Sequence, residues 1–177
     1  MRDDAHRQAA SLLWPSAARA LNRVVTAMGE TLQAVGLLTT EIKRPSLVYI
    51  FTKRGEVFAR RGYLPSENLP PLSSKLSVDL SVFYRIHDGW VDFFSGDTGP
   101  LPVEEWQVLG KSETDTEQGF LEVFTAGGNG IGFDLSEDPS GSYMISSDED
   151  VTPVDDFWGK LDSWISAELQ EMDRSTE

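Results

Sequence analysis

The sequence predicts an α+β fold, an antiparallel meander sheet packed by N-terminal and C-terminal helices. Three observations predict it. One apolar stripe of helical period ends near residue 36, a second begins after residue 155, and between them lie short β-branched and aromatic runs divided by Gly, Pro, Asn and Asp. The 177 residues suit one compact domain, or a domain with a packed extension.

Two helical stretches open the chain, divided by Pro15, which is tolerated in a first helical turn. Leu21, Val24, Val25, Met28, Leu32 and Val35 then form one apolar stripe, with Gly36 as the stop, and the stripe must lie against a sheet. Residues 47–52 and 57–63 read as the two strands of a hairpin about the turn 53–56. A connector rich in Gly62, Pro65, Pro70 and Pro71 comes next. Residues 78–87 suit a short helix with Asp79 in its first turn and Gly89 as its left-handed stop.

Beyond it the pattern becomes strands: 90–94, a turn at 95–100, then 103–109, whose period suits strand or helix equally. Residues 110–119 are polar and read as a loop. Residues 120–125 and 131–135 flank a Gly-Asn-rich hairpin turn, 143–146 follows the turn at 138–141, and 151–154 follows three acidic residues. The last helix is capped by Asp155 and buries Phe157, Leu161, Trp164, Ile165, Leu169 and Met172 on one face. Three segments result: 1–65, a basic helical segment plus hairpin that can share a core with the second segment; 66–172, an acidic α+β domain; and 173–177, a frayed tail.

Charge supports the same division. Up to Pro65 ten basic residues face five acidic ones, a net of +5, so the remainder must carry −19 to reach the total of −14. Such a surface repels nucleic acid and anionic lipid and suits a cationic partner. The absence of Cys excludes a disulfide framework, a thiolate nucleophile and Cys-ligated zinc, and two His build no imidazole metal cage. No apolar run approaches the ~20 residues of a membrane span, and the first six residues carry mixed charges, so the chain reads as cytoplasmic.

Motif by motif, catalysis finds little support. Residues 127–132 imitate a dinucleotide fingerprint, but a strand follows where the pyrophosphate needs a helix N-terminus. Asp148, Asp150 and Thr152 alternate like the start of a calcium loop, yet Pro153 and Gly159 occupy its decisive Gly and Glu positions. No metal and no cofactor is expected. His87 beside Asp88 and Tyr84 has the chemistry of a general base, but adjacent helical residues diverge, and a His at a helix C-terminus serves as a cap. Carboxylates are too numerous for an acid–base pair to be singled out, and nucleophile-elbow, P-loop and zinc-protease patterns are missing.

The tryptophans Trp90, Trp106, Trp158 and Trp164 lie in or beside apolar periodic segments, so most of them belong to the core, although tryptophan is also a favoured interface anchor. Adjacent Phe93 and Phe94 alternate faces in a strand, so one of them points outward. Tyr84-Arg85-Ile86-His87-Asp88-Gly89-Trp90 closing a helix, the Gly-rich hairpin through Phe124 and Phe133, and a final helix with Trp158 and Trp164 together resemble the SUKH superfamily. This superfamily holds the fungal Smi/Knr cell-wall regulators and many bacterial immunity proteins. The resemblance covers about residues 72–172 and carries over no catalytic residue.

The resemblance implies a SUKH-like α+β binding domain that neutralises a cognate polymorphic toxin, frequently a nuclease, by stoichiometric occlusion. The alternative is a regulatory protein-binding scaffold of the Smi/Knr type, and an enzyme acting through His87 stands third. The expected partner is a protein toxin with a basic surface, with nucleic acid and membrane excluded by charge. An outward aromatic and the carboxylates of the strand turns are the expected contacts: Phe93, Phe94, Asp97, Asp134, Glu137, Asp138, Asp148, Glu149 and Asp150.

Overall fold

The computed structural model describes residues 12, 14, 19–41, 44–53, 56–66, 68–96, 98–109, 119–146 and 150–171. The fold is α+β, with antiparallel strands throughout. The first half supplies α1 (Asn22–Thr31), β1 (Leu32–Leu38), β2 (Ser46–Lys53) and β3 (Glu56–Tyr63), followed by the short α2 (Ser81–Tyr84) and β4 (Trp90–Asp92). The second half supplies β5 (Gly99–Pro100), β6 (Gln107–Leu109), β7 (Phe120–Ala126), β8 (Asn129–Asp134), β9 (Ser142–Ile145), β10 (Val151–Pro153) and the closing α3 (Phe157–Glu171). Among the described residues no helix is long and apolar enough to cross a membrane.

The single expected meander is corrected to two sheets. β4 returns across the connector and pairs with β3, Arg60 opposite Asp92 and Gly62 opposite Trp90, which closes a first sheet of order β1-β2-β3-β4. The later strands form a second sheet of order β10-β9-β8-β7, with β5 and β6 pairing the remaining edge of β7. The partition depends on where Trp90 is buried, which a local pattern does not encode.

The opening helix is also corrected. It ends at Thr31, whose hydroxyl donates back to Ala27 O at 2.7 Å, and residues 32–38 leave as β1 along β2. Ladder pairing with β2 outweighs the weak helical preference of Leu32–Leu38. The apolar stripe holds through Leu21, Val24, Val25, Met28 and Leu32, all buried, and fails at the exposed Val35. Leu21, at the N-cap position, does not cap α1 with its side chain. The carboxylate of Asp162 in α3 does so, accepting from the N–H of Arg23 at 3.1 Å and of Val24 at 2.9 Å.

The second hairpin turn follows its sequence signal: Gly127 and Gly128 both have positive φ, 56° and 81°. Gly130 and Gly132 serve a different end. A Cβ on either would strike the Glu122 carboxylate or the backbone and ring beside Leu121 and Phe120, so glycine leaves room for side chains that lie across β8. In α3, Phe157, Leu161, Ile165 and Leu169 are buried as the stripe predicts, and Phe157 packs on Phe133 at 5.3 Å between ring centroids. The cap of α3 is Asp156 instead of Asp155, since Asp156 Oδ1 accepts from Gly159 N at 2.9 Å. Met172, the segment 110–118 and the tail 173–177 lie outside the described residues.

One apolar core runs through both halves, from Trp14 and Tyr49 to Ile131 and Leu169. Trp14 is fully buried at its centre, edge-on to Trp90 at 5.1 Å and Phe83 at 5.6 Å. Each such aromatic contributes roughly 1.5–3 kcal/mol by burial. Arg60, also buried, ties the first sheet to α3 through an ion pair with Glu168, and it donates to the Thr98 carbonyl. Burial raises the Glu168 carboxyl above its ordinary range, against the lowering effect of Arg60.

Candidate partner-binding surface

Where the two sheets adjoin, a hollow of about 640 Å³ opens on the surface. Tyr63 from the end of β3, Ser95 and Gly96 from the β4–β5 turn, and Glu104, Glu105 and Trp106 line it, among others. One wall is held by the local chemistry of its own segment, the other by side chains from elsewhere in the chain.

The β4–β5 turn is organised by Asp92. Its Oδ1 accepts from Phe94 N at 2.9 Å, Ser95 N at 2.8 Å and Ser95 Oγ at 3.1 Å, while its own N–H donates to Thr98 O at 2.9 Å. Phe93 N donates to Ala59 O at 3.0 Å, extending the β3 ladder by one residue. Of the two adjacent phenylalanines, Phe93 is half-buried and Phe94 is 81% exposed, their rings meeting edge to face at 5.3 Å. Phe94 therefore stands out from an ordered turn beside the hollow.

The opposite wall hangs on Asp88 and Tyr84. Buried Asp88 accepts from Val103 N at 2.8 Å through Oδ1 and from Arg44 Nη1 at 2.7 Å through Oδ2, which fixes the short 3-10 turn Val103–Glu105. Arg44 reaches Glu104 at 3.4 Å with its other nitrogen, and its guanidinium lies over the Tyr63 ring at 4.8 Å. The Tyr84 hydroxyl donates to Leu101 O at 2.7 Å and accepts from Trp106 Nε1 at 3.0 Å. Burial raises the Tyr84 phenol well above its ordinary range, so it remains a donor.

His87 does not cap a helix, and this corrects the expectation from sequence. α2 stops at Tyr84, whose carbonyl accepts from Ser66 N, and the His87 ring turns into the core. Its Nδ1 lies 3.0 Å from Tyr63 O and its Nε2 lies 2.6 Å from Tyr49 Oη, while Trp14 Nε1 donates to the same Tyr49 oxygen at 3.2 Å. Desolvation pushes the imidazole down to about 4, partly offset by the Tyr63 carbonyl, and pushes the Tyr49 phenol up to about 12. Neutral His87 thus donates from Nδ1 to the carbonyl and accepts the Tyr49 proton at Nε2. The arrangement is a closed polar chain inside the core, with both imidazole nitrogens engaged.

The carboxylates expected to form the contact surface are not brought together. Strand polarity sets Asp134, Glu137 and Asp138 at one end of the second sheet and Asp150 at the other, the end shared by the Gly127-Gly128 turn and Thr98. Asp134 is buried and accepts from Ser136 N at 2.8 Å. Glu137 accepts from Gly141 N at 3.0 Å and from the Tyr143 hydroxyl at 2.9 Å. Asp138 and Asp150 are exposed, while Asp97, Asp148 and Glu149 lie outside the described residues.

Sequence reasoning missed Tyr63, Glu104 and Glu105, and it grouped Trp106 with tryptophans that mostly belong to the core; the ring is partly buried and packs against the core while lining the hollow. The available signal was Glu104-Glu105-Trp106 itself, an acidic pair against an aromatic just after a proline. Among the described residues no group of three His, Asp or Glu side chains is placed to hold a metal ion. Comparison with models of protein families, with curated proteins and with solved structures found no match for this chain.

Proposed function

We propose that this chain is a SUKH-like immunity protein that binds a cognate bacterial toxin in fixed stoichiometry and silences it by covering its working surface. The observation that carries the reading is Phe94, an exposed ring on a turn that Asp92 orders and whose next residues, Ser95 and Gly96, line a hollow with Tyr63, Trp106, Glu104 and Glu105. An aromatic anchor beside a hollow is the arrangement in which few residues supply most of the binding energy. The surplus of acidic residues after Pro65 suits a basic partner and speeds its encounter. A nuclease is the toxin class this charge fits, because it lines its own groove with cations to hold phosphate.

Supporting the SUKH-like arrangement is the succession of α2, the left-handed Gly89, Trp90 opening β4, the Gly-rich β7–β8 hairpin and the aromatic α3. In this reading the protein works in the cytoplasm, performs no chemistry, takes no cofactor and avoids nucleic acid and membrane through its charge. Co-expression with the toxin encoded beside its gene restores growth, and the purified pair elutes as one complex. Loss of both results with every neighbouring gene product overturns the reading. A gene without a toxin neighbour, whose product captures a host protein through the same hollow, would move the protein to the regulatory scaffolds.

A further inference from the structure

We infer that β1 is a docking edge for a second copy of this chain, the two β1 strands pairing antiparallel about a twofold axis to join two four-stranded sheets into one of eight. β1 is the outermost strand of the first sheet. It pairs with β2 from Leu32↔Phe51 to Leu38↔Ser46, and among the described residues no strand pairs with its other side. The outward N–H and C=O groups of such a strand form a template for another strand.

Proteins that remain monomeric guard such edges with short strands, charges or proline. β10, the outer strand of the second sheet, has all three guards: it is three residues long, contains Pro153 and is flanked by Asp150, Asp155 and Asp156. β1 has no proline and no charged side chain, and its one guard is a register shift between Leu32 and Ala34 that leaves Ala34–Leu38 paired with β2 in regular order. It is seven residues long, Leu-Gln-Ala-Val-Gly-Leu-Leu, and carries no charge. Val35 is 36% exposed and Leu37 67% exposed, and they stand opposite Tyr49 and Leu47 in the row that faces the core. The apolar face of the sheet thus continues past β2 and ends in solvent.

A second copy satisfies each demand of this edge. The occupant must bring an uncharged strand of similar length whose apolar side chains fall on the same face, and β1 itself is such a strand. Antiparallel self-pairing sets the Val35–Leu37 rows of the two copies side by side and closes on itself, which stops growth at two. β1 is the strand of the first sheet farthest from β4, beside which the second sheet begins, and its own side chains bring no charge to the pairing. Joined in this way, the two copies keep their acidic parts apart and their hollows open.

Sedimentation equilibrium of the full chain at about 100 μM tests this. The expected mass is twice the 19.6 kDa of one chain. Leu37→Lys, a guard at an exposed position, is expected to keep the circular dichroism and melting temperature of the parent while raising the dissociation constant about tenfold or more. Backbone amides of 32–38 are expected to exchange more slowly as the parent is concentrated. A parent chain that is monomeric at this concentration overturns the inference. A dimer that Leu37→Lys leaves intact also overturns it, since another surface then holds the copies together. Should Leu37→Lys unfold, Val35→Lys at the neighbouring exposed position of the same row provides the same reading.

Discussion

The Tyr49 hydroxyl donates to His87 Nε2 across 2.6 Å, and both side chains are buried beneath Trp14. The pair makes His87 a conditional element of the fold, because the bond exists only while the imidazole is neutral. Its folded pKa is depressed to about 4 from 6.5, so between these values the unfolded chain binds the extra proton. The stability that neutral His87 contributes is therefore complete above pH 6.5 and falls away as pH drops toward 4. The loss across that window is roughly 3 kcal/mol. Urea unfolding of the parent and of His87→Gln from pH 4 to 7.5 checks it: the difference between the two curves should narrow on acidification, and parallel curves would refute the assignment.

Gly62 lies against the same imidazole. A Cβ there would sit 2.6 Å from His87 Nδ1, too close for either group to remain in place. Gly62→Ala is expected to cost about 1–3 kcal/mol by overpacking. In His87→Ala the ring is gone and the penalty should largely disappear, so a double-mutant cycle by chemical denaturation should return strong coupling. Additive losses would show that the strain lies elsewhere.

Asp162 holds the start of α1 from the far end of the chain. Asp162→Ala leaves the N–H groups of Arg23 and Val24 without their acceptor and should destabilise the protein by about 1–2 kcal/mol. Asp162→Asn keeps an acceptor oxygen and should lose less. Melting temperatures of the two variants, with hydrogen exchange along α1, would reveal the difference; equal losses would assign the effect to packing of α3.

Phe94 separates binding from folding. With 81% of its surface in water, Phe94→Ala should change stability by less than about 0.5 kcal/mol while weakening the toxin complex about tenfold or more. Asp92→Ala should weaken the complex as well, by releasing the turn that carries the ring. Calorimetric titration measures both, and undiminished affinity in Phe94→Ala would move the contact away from the hollow.

Several features were legible in the sequence because their cause is local. The β2–β3 hairpin follows strand alternation, and the β7–β8 hairpin follows turn chemistry as well, with Gly127 and Gly128 in the positive-φ conformations that the Gly-Asn run supplies. The buried face of α3 follows a stripe of period 3.6, and the outward direction of one residue in the Phe93-Phe94 pair follows strand alternation. For each of these, neighbours within a few residues supply the deciding energy.

Tertiary structure decided the remainder. Leu32–Leu38 is a strand because β2 offers it a ladder, Trp90 closes the first sheet because its ring belongs beside Trp14, and α1 is capped by a carboxylate 138 residues beyond Val24. His87 became a core donor and acceptor instead of a cap because Tyr49 and Tyr63 converge on it from another strand pair. The hollow combines segments from β3 to β7 that no window of sequence contains together. Periodicity and turn chemistry specify what each segment can become, whereas burial and hydrogen-bond satisfaction across the whole chain select which possibility is realised.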